Sequence, residues 1–382
     1  MGVTVTESQG VMAVSPAQSD YNTGVTPATT PANFRQEVAA SYISVPEFAS
    51  PNVGNQGEAT GSAYSTKNNK GRADASGSFD IFLTFEELGF WAYRSFGDYT
   101  VAAVVSGVYR HTFKLLNPQL VRELPAWMLA VKLNEAALSS NEVYNKKFRG
   151  CKVETIQFST PHNAEKPYLT ANVAWHGSGK REAGDVKFFG SGKHVIGTGS
   201  GELGTEQRIP ENGTMSIYSQ PSKGGTAYAL GCDFYNFQAS INENLNMEIG
   251  YSGCQKFQID NDPTSAQIRG SLPITEQVAA VEFSAKLTPE LKAAADFEAL
   301  MEAGTALSAD WTFLGKIIGA TIYNQKATFS LNKFTIGGIS YPTIDSVRGI
   351  QIATQPEAVS SVMPLELEII SPVADFSTFV GS

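Results

Sequence analysis

The residues of this chain that could do chemistry are few, and in each case their spacing fails the chemistry. Gly199-Ser200-Gly201-Glu202-Leu203-Gly204 matches the GxGxxG spacing that lets a tight turn approach a dinucleotide pyrophosphate. That site needs a strand before it, expected here at His194-Val195-Ile196, and a helix opening directly after it. Instead Thr205 to Asn212 meets Pro210 and a turn, and no ribose-binding acid follows, so the segment reads as a flexible loop. Gly-Ser-Gly-Lys occurs twice, ending at Lys180 and Lys193, without the first glycine of a phosphate loop or a Ser or Thr after the lysine. Asp260-Asn261-Asp262 opens like a calcium loop and is broken by Pro263. His111, His162, His176 and His194 have neither HExxH spacing nor paired cysteines beside them. A catalytic triad need not be adjacent in sequence, and nothing favours one here. Asn212-Gly213-Thr214 is a glycosylation sequon, which has meaning only in a secreted chain. The sequence therefore assigns no catalytic residue, no cofactor-binding residue, no cofactor and no metal ligand.

Composition points away from a site and towards a surface. Hydrophobic residues make up 42% of the 382, enough for a sizeable core, while charged residues are only 17%. A surface short of charge and rich in Ser, Thr, Asn, Gln and Gly suits contact with other protein copies. The formal charge of −9 leaves no basic footprint for a phosphate backbone. Cys151, Cys232 and Cys254 are an odd, sparse set that argues against a disulfide framework and fits a cytoplasmic folding environment. Met1 to Asp20 has neither the basic start nor the apolar core of a signal peptide, and no run reaches the roughly 20 apolar residues needed to span a bilayer. Membrane insertion is not expected.

Four stretches organise the chain. Residues 1–74 are rich in small and polar residues and read as a flexible arm, with one strand-like island from Asn33-Phe34 to Tyr42-Ile43-Ser44-Val45. Residues 75–176 read as a first β domain. Phe79 to Leu83 is a strand, and Thr84 and Glu87 form a capping box for a helix ending at Gly97. Strand pieces follow in Val101 to Leu116 and Pro125 to Asn134. The hairpin from Phe148 to Gly177 is the clearest element: Leu169, Ala171, Val173 and Trp175 alternate with Tyr168, Thr170, Asn172 and His176. Its outgoing arm slips phase between Val153 and Ile156, which predicts a β-bulge near Glu154-Thr155, and Thr160 to Asn163 supplies the turn.

Residues 177–231 form a Gly-rich insertion with short strands expected at Phe188-Phe189, His194 to Ile196 and Met215 to Tyr218. Residues 232–382 read as a second β domain. Its expected strands are Phe234 to Ile241, Ile268 to Ile274, Val281 to Leu287, Gly319 to Tyr323, Thr328 to Ile336, Gly349 to Ala353 and Leu365 to Ile370. Thr288-Pro289-Glu290 starts a helix expected to bury Ala293, Phe297, Leu300 and Met301 and to end at Gly304. Both β domains share an order of strand, helix, short strands and hairpin. Gly77-Ser78 begins one series and Gly270-Ser271 the other, while Asn33-Phe34 and Asn236-Phe237 precede them, which reads as an internal duplication. The fold class is mainly β, with flanking helices.

Gly77-Ser78-Phe79-Asp80-Ile81-Phe82-Leu83 with its helix through Gly89, Phe148 to Thr155, Phe237 to Leu245 and Arg269-Gly270-Ser271 together resemble the tail tube proteins of long-tailed bacteriophages. The resemblance covers roughly Gly77 to Trp175 and Phe234 to Ile370, and leaves out the arm and the insertion. It implies a tail-tube β-sandwich or barrel with a flanking helix, made in the host cytoplasm and built into the virion. Six such domains form a ring, and rings stack into a tube through which DNA is ejected. Two domains per chain give trimeric rings, one gives hexameric rings. Tape measure and other tail proteins are implied partners, DNA passes without specific binding, and no enzyme activity is implied. An acidic lumen would repel DNA in transit. A tail-fibre or carbohydrate-binding β-module is the alternative reading, with Trp175 and Trp311 as sugar platforms; a hydrolase is weaker still.

Overall fold

The computed structural model describes residues 10–15, 40–43, 47–49, 52–54, 68–70, 74–116, 123–133, 144–160, 167–179, 181–183, 208–229, 234–247, 272–289, 291, 296–344, 346–358 and 362–377. Where the sequence alternates, the backbone is extended. In chain order the first half gives β1 (Gly10–Val14), β2 (Ala40–Ile43), β3 (Glu47–Ala49), β4 (Asn52–Gly54), β5 (Asn68–Lys70) and β6 (Asp74–Phe82). Helix α1 (Phe85–Ser95) follows, then β7 (Gly97–Val105), β8 (Val108–Leu115), β9 (Trp127–Leu133), β10 (Tyr144–Ser159), β11 (Thr170–Gly177) and β12 (Arg181–Ala183). The second half gives β13 (Thr214–Gln220), β14 (Gly224–Ala229), β15 (Phe234–Asn242), β16 (Val278–Lys286) and helix α2 (Phe297–Glu302). It closes with β17 (Leu307–Ile317), β18 (Asn324–Ser340), β19 (Thr343–Ile344), β20 (Val347–Pro356) and β21 (Leu365–Ser371).

The fold is mainly β, as the alternation predicts. β4 and β5 form a separate two-stranded ladder, and the other 19 strands join one barrel-like hydrogen-bonded system. Its first layer runs β2 and β3, β6, β11, β10, β15, β16, β20, β18, all antiparallel. The long strands β10 and β18 bend, so their first parts leave this layer and enter a second. There β1, β9, β10 and β12 make one run, and β14, β13, β17, β18, β21, β8 and β7 make another. One continuous apolar core lies between the layers, with Trp91, Trp127 and Trp175 edge-on to each other in one half and Phe237 against Trp311 and Phe329 in the other.

The pairing scheme occurs twice. In the first layer, β2/β3 to β6 to β11 to β10 has the same order and sense as β15 to β16 to β20 to β18. In the second layer, β1, β9, β10 and β12 match β13, β17, β18 and β21. Even the irregularities coincide. The ladder slips between Val153 and Thr155 in β10 and between Ile336 and Gly338 in β18. It slips again between Phe148 and Cys151 opposite Leu129 and Trp127, and between Leu331 and Phe334 opposite Ala309 and Leu307. A third pair of slips sits between Ala40 and Tyr42 and between Phe234 and Asn236. A bulge is a local device that re-aims a strand, so three at matching places fix a residue-by-residue correspondence. Val153 answers to Ile336, Phe79 to Phe283 and Thr84 to Thr288. The hairpin β7–β8 has no counterpart, since α2 leads into β17 within a few residues.

The expected helix start is met: the Thr84 hydroxyl accepts from the Glu87 N–H at 3.1 Å while the Glu87 carboxylate accepts from the Thr84 N–H at 3.1 Å. Gly97 follows the helix with φ +86°, where a Cβ would meet Leu116. The bulge at Glu154-Thr155 and the buried row Leu169, Ala171, Val173, Trp175 also stand. Three expectations change. Gly319 to Tyr323 is a turn rather than a strand: Gly319 has φ +53° and the Ile318 N–H donates to the Tyr323 carbonyl. The helix from Thr288 is not continuous, because Asp296 caps a new one at the Ala299 N–H. Of the strand expected at Ile268 to Ile274, residues 268–271 lie outside the described residues; beyond Pro273, which has no N–H to offer a ladder, Ile274 makes an isolated bridge to Leu245. The register also sets Val281-Glu282-Phe283, not Gly270-Ser271, against Gly77-Ser78-Phe79, and Tyr42-Ile43, not Asn33-Phe34, against Asn236-Phe237. The strands expected at Phe188-Phe189 and His194 to Ile196 and the turn at Pro161 to Asn163 lie outside the described residues.

Candidate functional site

The first layer has a face turned away from the core, and its residues follow from strand alternation. Reading across the register gives Asp80, Asn172, Gln157, Ser240 and Ala280 in one row. The next row on that face is Phe82, Thr170, Ser159, Gln238, Glu282, Ala353 and Gly338. These side chains tie to each other: Asn172 donates to Asp80 at 2.5 Å, Ser159 and Thr170 share a hydrogen bond of 3.0 Å, and Gln351 donates to Glu282 at 3.2 Å. The polar members of the rows are amides, hydroxyls and acids, and at one end the Arg208 guanidinium lies over the Phe82 ring, 5.0 Å from its centroid. The second layer differs: across β8 and β21, Arg110 meets Glu368 at 3.5 Å and Lys114 meets Glu366 at 3.8 Å.

The two ends of the first layer are its other candidate feature. At one end β2 and β3 pair with β6, and at the other β18 pairs with β20 through Thr335 to Ser340; among the described residues no further strand pairs beyond either. In the middle β10 does what β18 does at the end, and there it is covered. Thr155 to Ser159 pairs on its far side with Asn242 to Gln238 of β15. Unpaired strand edges are rows of main-chain donors and acceptors that a second chain can extend.

Four buried polar groups hold the frame. Arg94 donates to the carbonyls of Phe90 at 2.9 Å and Ser15 at 3.0 Å and lies over the Phe90 ring, pinning the residue after β1 to α1. His111 meets Tyr99 at 2.9 Å and Ser371 at 3.2 Å, and burial pulls its pKa down to about 4, so the ring is neutral. Lys152 donates to the Leu272 carbonyl at 3.2 Å with Glu123 at 4.0 Å, and burial lowers its pKa to about 8. Burial likewise holds Glu243 well above the usual carboxylate range while it accepts from Gln277 at 2.7 Å.

The chemistry-bearing motifs of the sequence are not brought together. His111 and His176 are far apart in the ladders, His176 standing 3.7 Å from Glu154, and among the described residues no three His, Cys, Asp or Glu groups converge as a metal site. Gly199 to Gly204, Asp260 to Asp262, Lys180 and Lys193, His162, His194, Cys232 and Cys254 lie outside the described residues. Cys151 is buried and its thiol is pushed well up by burial. Trp175 and Trp311, the sugar platforms of the alternative reading, are 1% and 0% exposed and pack in the core. What sequence reasoning missed is the pair of sheet ends. The repeated pairing left a signal in the second layer, because Gln9-Gly10-Val11-Met12-Ala13-Val14 at β1 and Asn212-Gly213-Thr214-Met215-Ser216-Ile217 at β13 read alike.

No curated protein matches the sequence. The family model described as phage tail tube protein matches residues 7–360, nearly the whole chain, and spans both layers and both sheet ends. A β-rich body with polar faces and extendable edges is what a wall component needs, and the chain belongs to the phage tail tube protein family, as a structural component of the virion tail.

Proposed function

We propose that the chain is two tail-tube units in tandem and that three chains close into a pseudo-hexameric ring. The junction between β10 and β15 carries this reading. It joins unit one to unit two inside the chain, and its two partners have counterparts, β18 and β2/β3, at the two ends of the same layer. Repeating the internal junction between chains sets Ile339 opposite Phe48 and Ser340 opposite Glu47 of the next copy, antiparallel as inside. Three eight-stranded layers supply about 24 strands. At ~4.8 Å spacing and ~40° tilt they close a barrel about 48 Å across at the backbone, wide enough for duplex DNA.

The face that would line such a barrel is the one bearing Asp80, Asn172, Gln157, Ser240, Gln238 and Glu282. Amides and hydroxyls with a few acids dominate these rows, with Arg208 over the Phe82 ring at their end, so the face offers phosphates little to stick to, which suits passage of DNA at ejection. Stacked rings would make the tube, with tape measure and other tail proteins as partners. The boundaries 75–176 and 232–382 fall inside the two units, while β1 to β3 and β12 to β14 extend each unit into the stretches 1–74 and 177–231. The test is a cysteine pair, Ser340→Cys with Glu47→Cys, oxidised in assembled material. The expected result is chain-to-chain disulfides up to a trimer on a non-reducing gel, absent from either single variant and from the parent with its own cysteines. No chain-to-chain disulfide from the pair in assembled material, or dimers from a single variant in the same yield as from the pair, would overturn the reading.

A further inference from the structure

The first half has a plug that no described residue supplies to the second. At the start of α1 the ladder between β6 and β11 opens, and Arg208-Ile209-Pro210-Glu211 is laid into the gap. The Leu83 N–H still donates to the Leu169 carbonyl at 2.9 Å, but the Leu169 N–H donates to Ile209 at 2.8 Å. The Ile209 N–H donates to the Leu83 carbonyl at 2.8 Å, and the Glu211 N–H to the Pro167 carbonyl at 2.9 Å. Ile209 is 0% exposed and part of the core. This segment leads directly into β13, the first strand of unit two, so it is a strap thrown back from one unit onto the unit before it.

The same place in unit two is open. Leu287 and Arg348 answer to Leu83 and Leu169, and the Leu287 N–H donates to the Arg348 carbonyl at 3.0 Å in the same way. Thr288 caps the following turn through the Leu291 N–H at 3.1 Å, as Thr84 does for α1. Among the described residues nothing stands where Ile209 stands between the carbonyl of the one and the N–H of the other. In its place is a cavity of about 410 Å³ whose lining combines the apolar Leu287, Leu291, Phe297 and Ile350 with Tyr341, Arg348 and the acids Asp296 and Glu298.

The strap of unit one would be whatever leads into β1, which answers to β13 through Met12 with Met215 and Val14 with Ile217. That stretch is Val5-Thr6-Glu7-Ser8-Gln9, against Ile209-Pro210-Glu211-Asn212, with one residue more. We propose that residues 4–7 of one chain seat in the cavity of the neighbouring chain's second unit, Val5 entering where Ile209 enters in the first. The Val5 main chain would bridge the Leu287 carbonyl and the Arg348 N–H as Ile209 bridges Leu83 and Leu169. Its own chain cannot supply it: β1 stands at the β2 end, and the cavity lies between β16 and β20, roughly five and a half strand spacings or ~26 Å of layer away. Residues 5–10 fully extended reach about 17 Å.

This rests on tandem joining of chains, and the experiment separates the two. Val5→Cys is paired with Leu291→Cys, and separately with Leu287→Cys, in full-length chain assembled and then oxidised, beside the Ser340→Cys, Glu47→Cys pair. In parallel, Val5→Asp is assayed for its assembly threshold and for its unfolding curve as dilute chain. The inference expects chain-to-chain disulfides from at least one cavity pair, and for Val5→Asp an assembly threshold raised tenfold or more with the unfolding curve unchanged. Crosslinks at Ser340 and Glu47 without any at the cavity, together with parental assembly by Val5→Asp, would overturn the strap and leave the ring. Failure of the Ser340 and Glu47 pair while the cavity pairs crosslink would overturn the ring register and leave the strap.

Discussion

Ile156 and Ile339 are the same position seen twice, once covered by the chain itself and once at its edge. Ile156 pairs with Ile241 of β15 and is 0% exposed; Ile339 pairs only with Ile352 of β20 and is partly buried against the core. Truncating a fully buried isoleucine to alanine costs 2–5 kcal/mol, so Ile156→Ala is expected to lower the unfolding free energy of dilute chain by about 3 kcal/mol. Ile339→Ala removes fewer core contacts and is expected to cost about 1 kcal/mol in the same measurement. Its larger effect belongs to assembly. Covering ~60 Å² of remaining apolar surface at each junction contributes about 1.5 kcal/mol, or roughly tenfold in the constant for joining two chains. The pair is read by urea unfolding at low concentration and by sedimentation of tubes across a concentration series. The reasoning fails if Ile339→Ala destabilises dilute chain as much as Ile156→Ala, or if it assembles at the parental threshold.

Two other perturbations probe the frame. Gly89 on α1 faces the Phe376 ring, where an added Cβ would lie 2.1 Å from Cζ, so Gly89→Ala is expected to cost about 1–3 kcal/mol despite alanine's helix preference, read by thermal unfolding. Gly89→Ala combined with Phe376→Leu should recover part of that loss. Lys152 is charged in the unfolded chain up to pH ~10.4 but only to about 8 when folded, so between those values the unfolded state binds the extra proton and stability rises with pH. Below pH 8 the penalty is at its full size, on the order of 3 kcal/mol. Lys152→Met is therefore expected to show no such rise, and the parent's unfolding free energy should gain a few kcal/mol on the variant's from pH 8 to 10 in urea titrations. A constant difference across that range counts against a buried, charged lysine.

Much of the fold was legible because alternation and capping are local. The Thr84–Glu87 box, the Gly97 stop, the Glu154-Thr155 slip and the row from Leu169 to Trp175 each need only a few neighbouring residues to be read. The turn at Gly319 was lost because Ala320, Ile322 and Tyr323 imitate a strand, and Ile322 is in fact 89% exposed. The break at Asp296 was lost because an apolar helical pattern continues through it, and only the Asp296 side chain's bond to Ala299 reveals a second start. The sugar-platform reading failed for a related reason: a tryptophan on an alternating strand looks the same in sequence whether its face meets a core or a ligand.

The duplication shows most clearly what sequence can and cannot carry. Trp175 answers to Thr354, Phe148 to Leu331 and Tyr42 to Asn236, so side chains have been exchanged wherever the packing of the two halves differs. What persists is the main-chain register: three slips in three ladders, each at its matching place. Register answers to the hydrogen-bond ladder and to which face is buried, and a single-residue shift would turn a whole strand inside out. Side chains are free to change, the slips are not, and the two copies are therefore recognisable by their irregularities. The same logic makes the differences informative. Where the two halves part, β10 is covered by β15 while no described strand covers β18, and the gap by Leu83 holds Ile209 while no described residue fills the one by Leu287; on the proposed ring, the second half takes from another copy what the first finds within the chain.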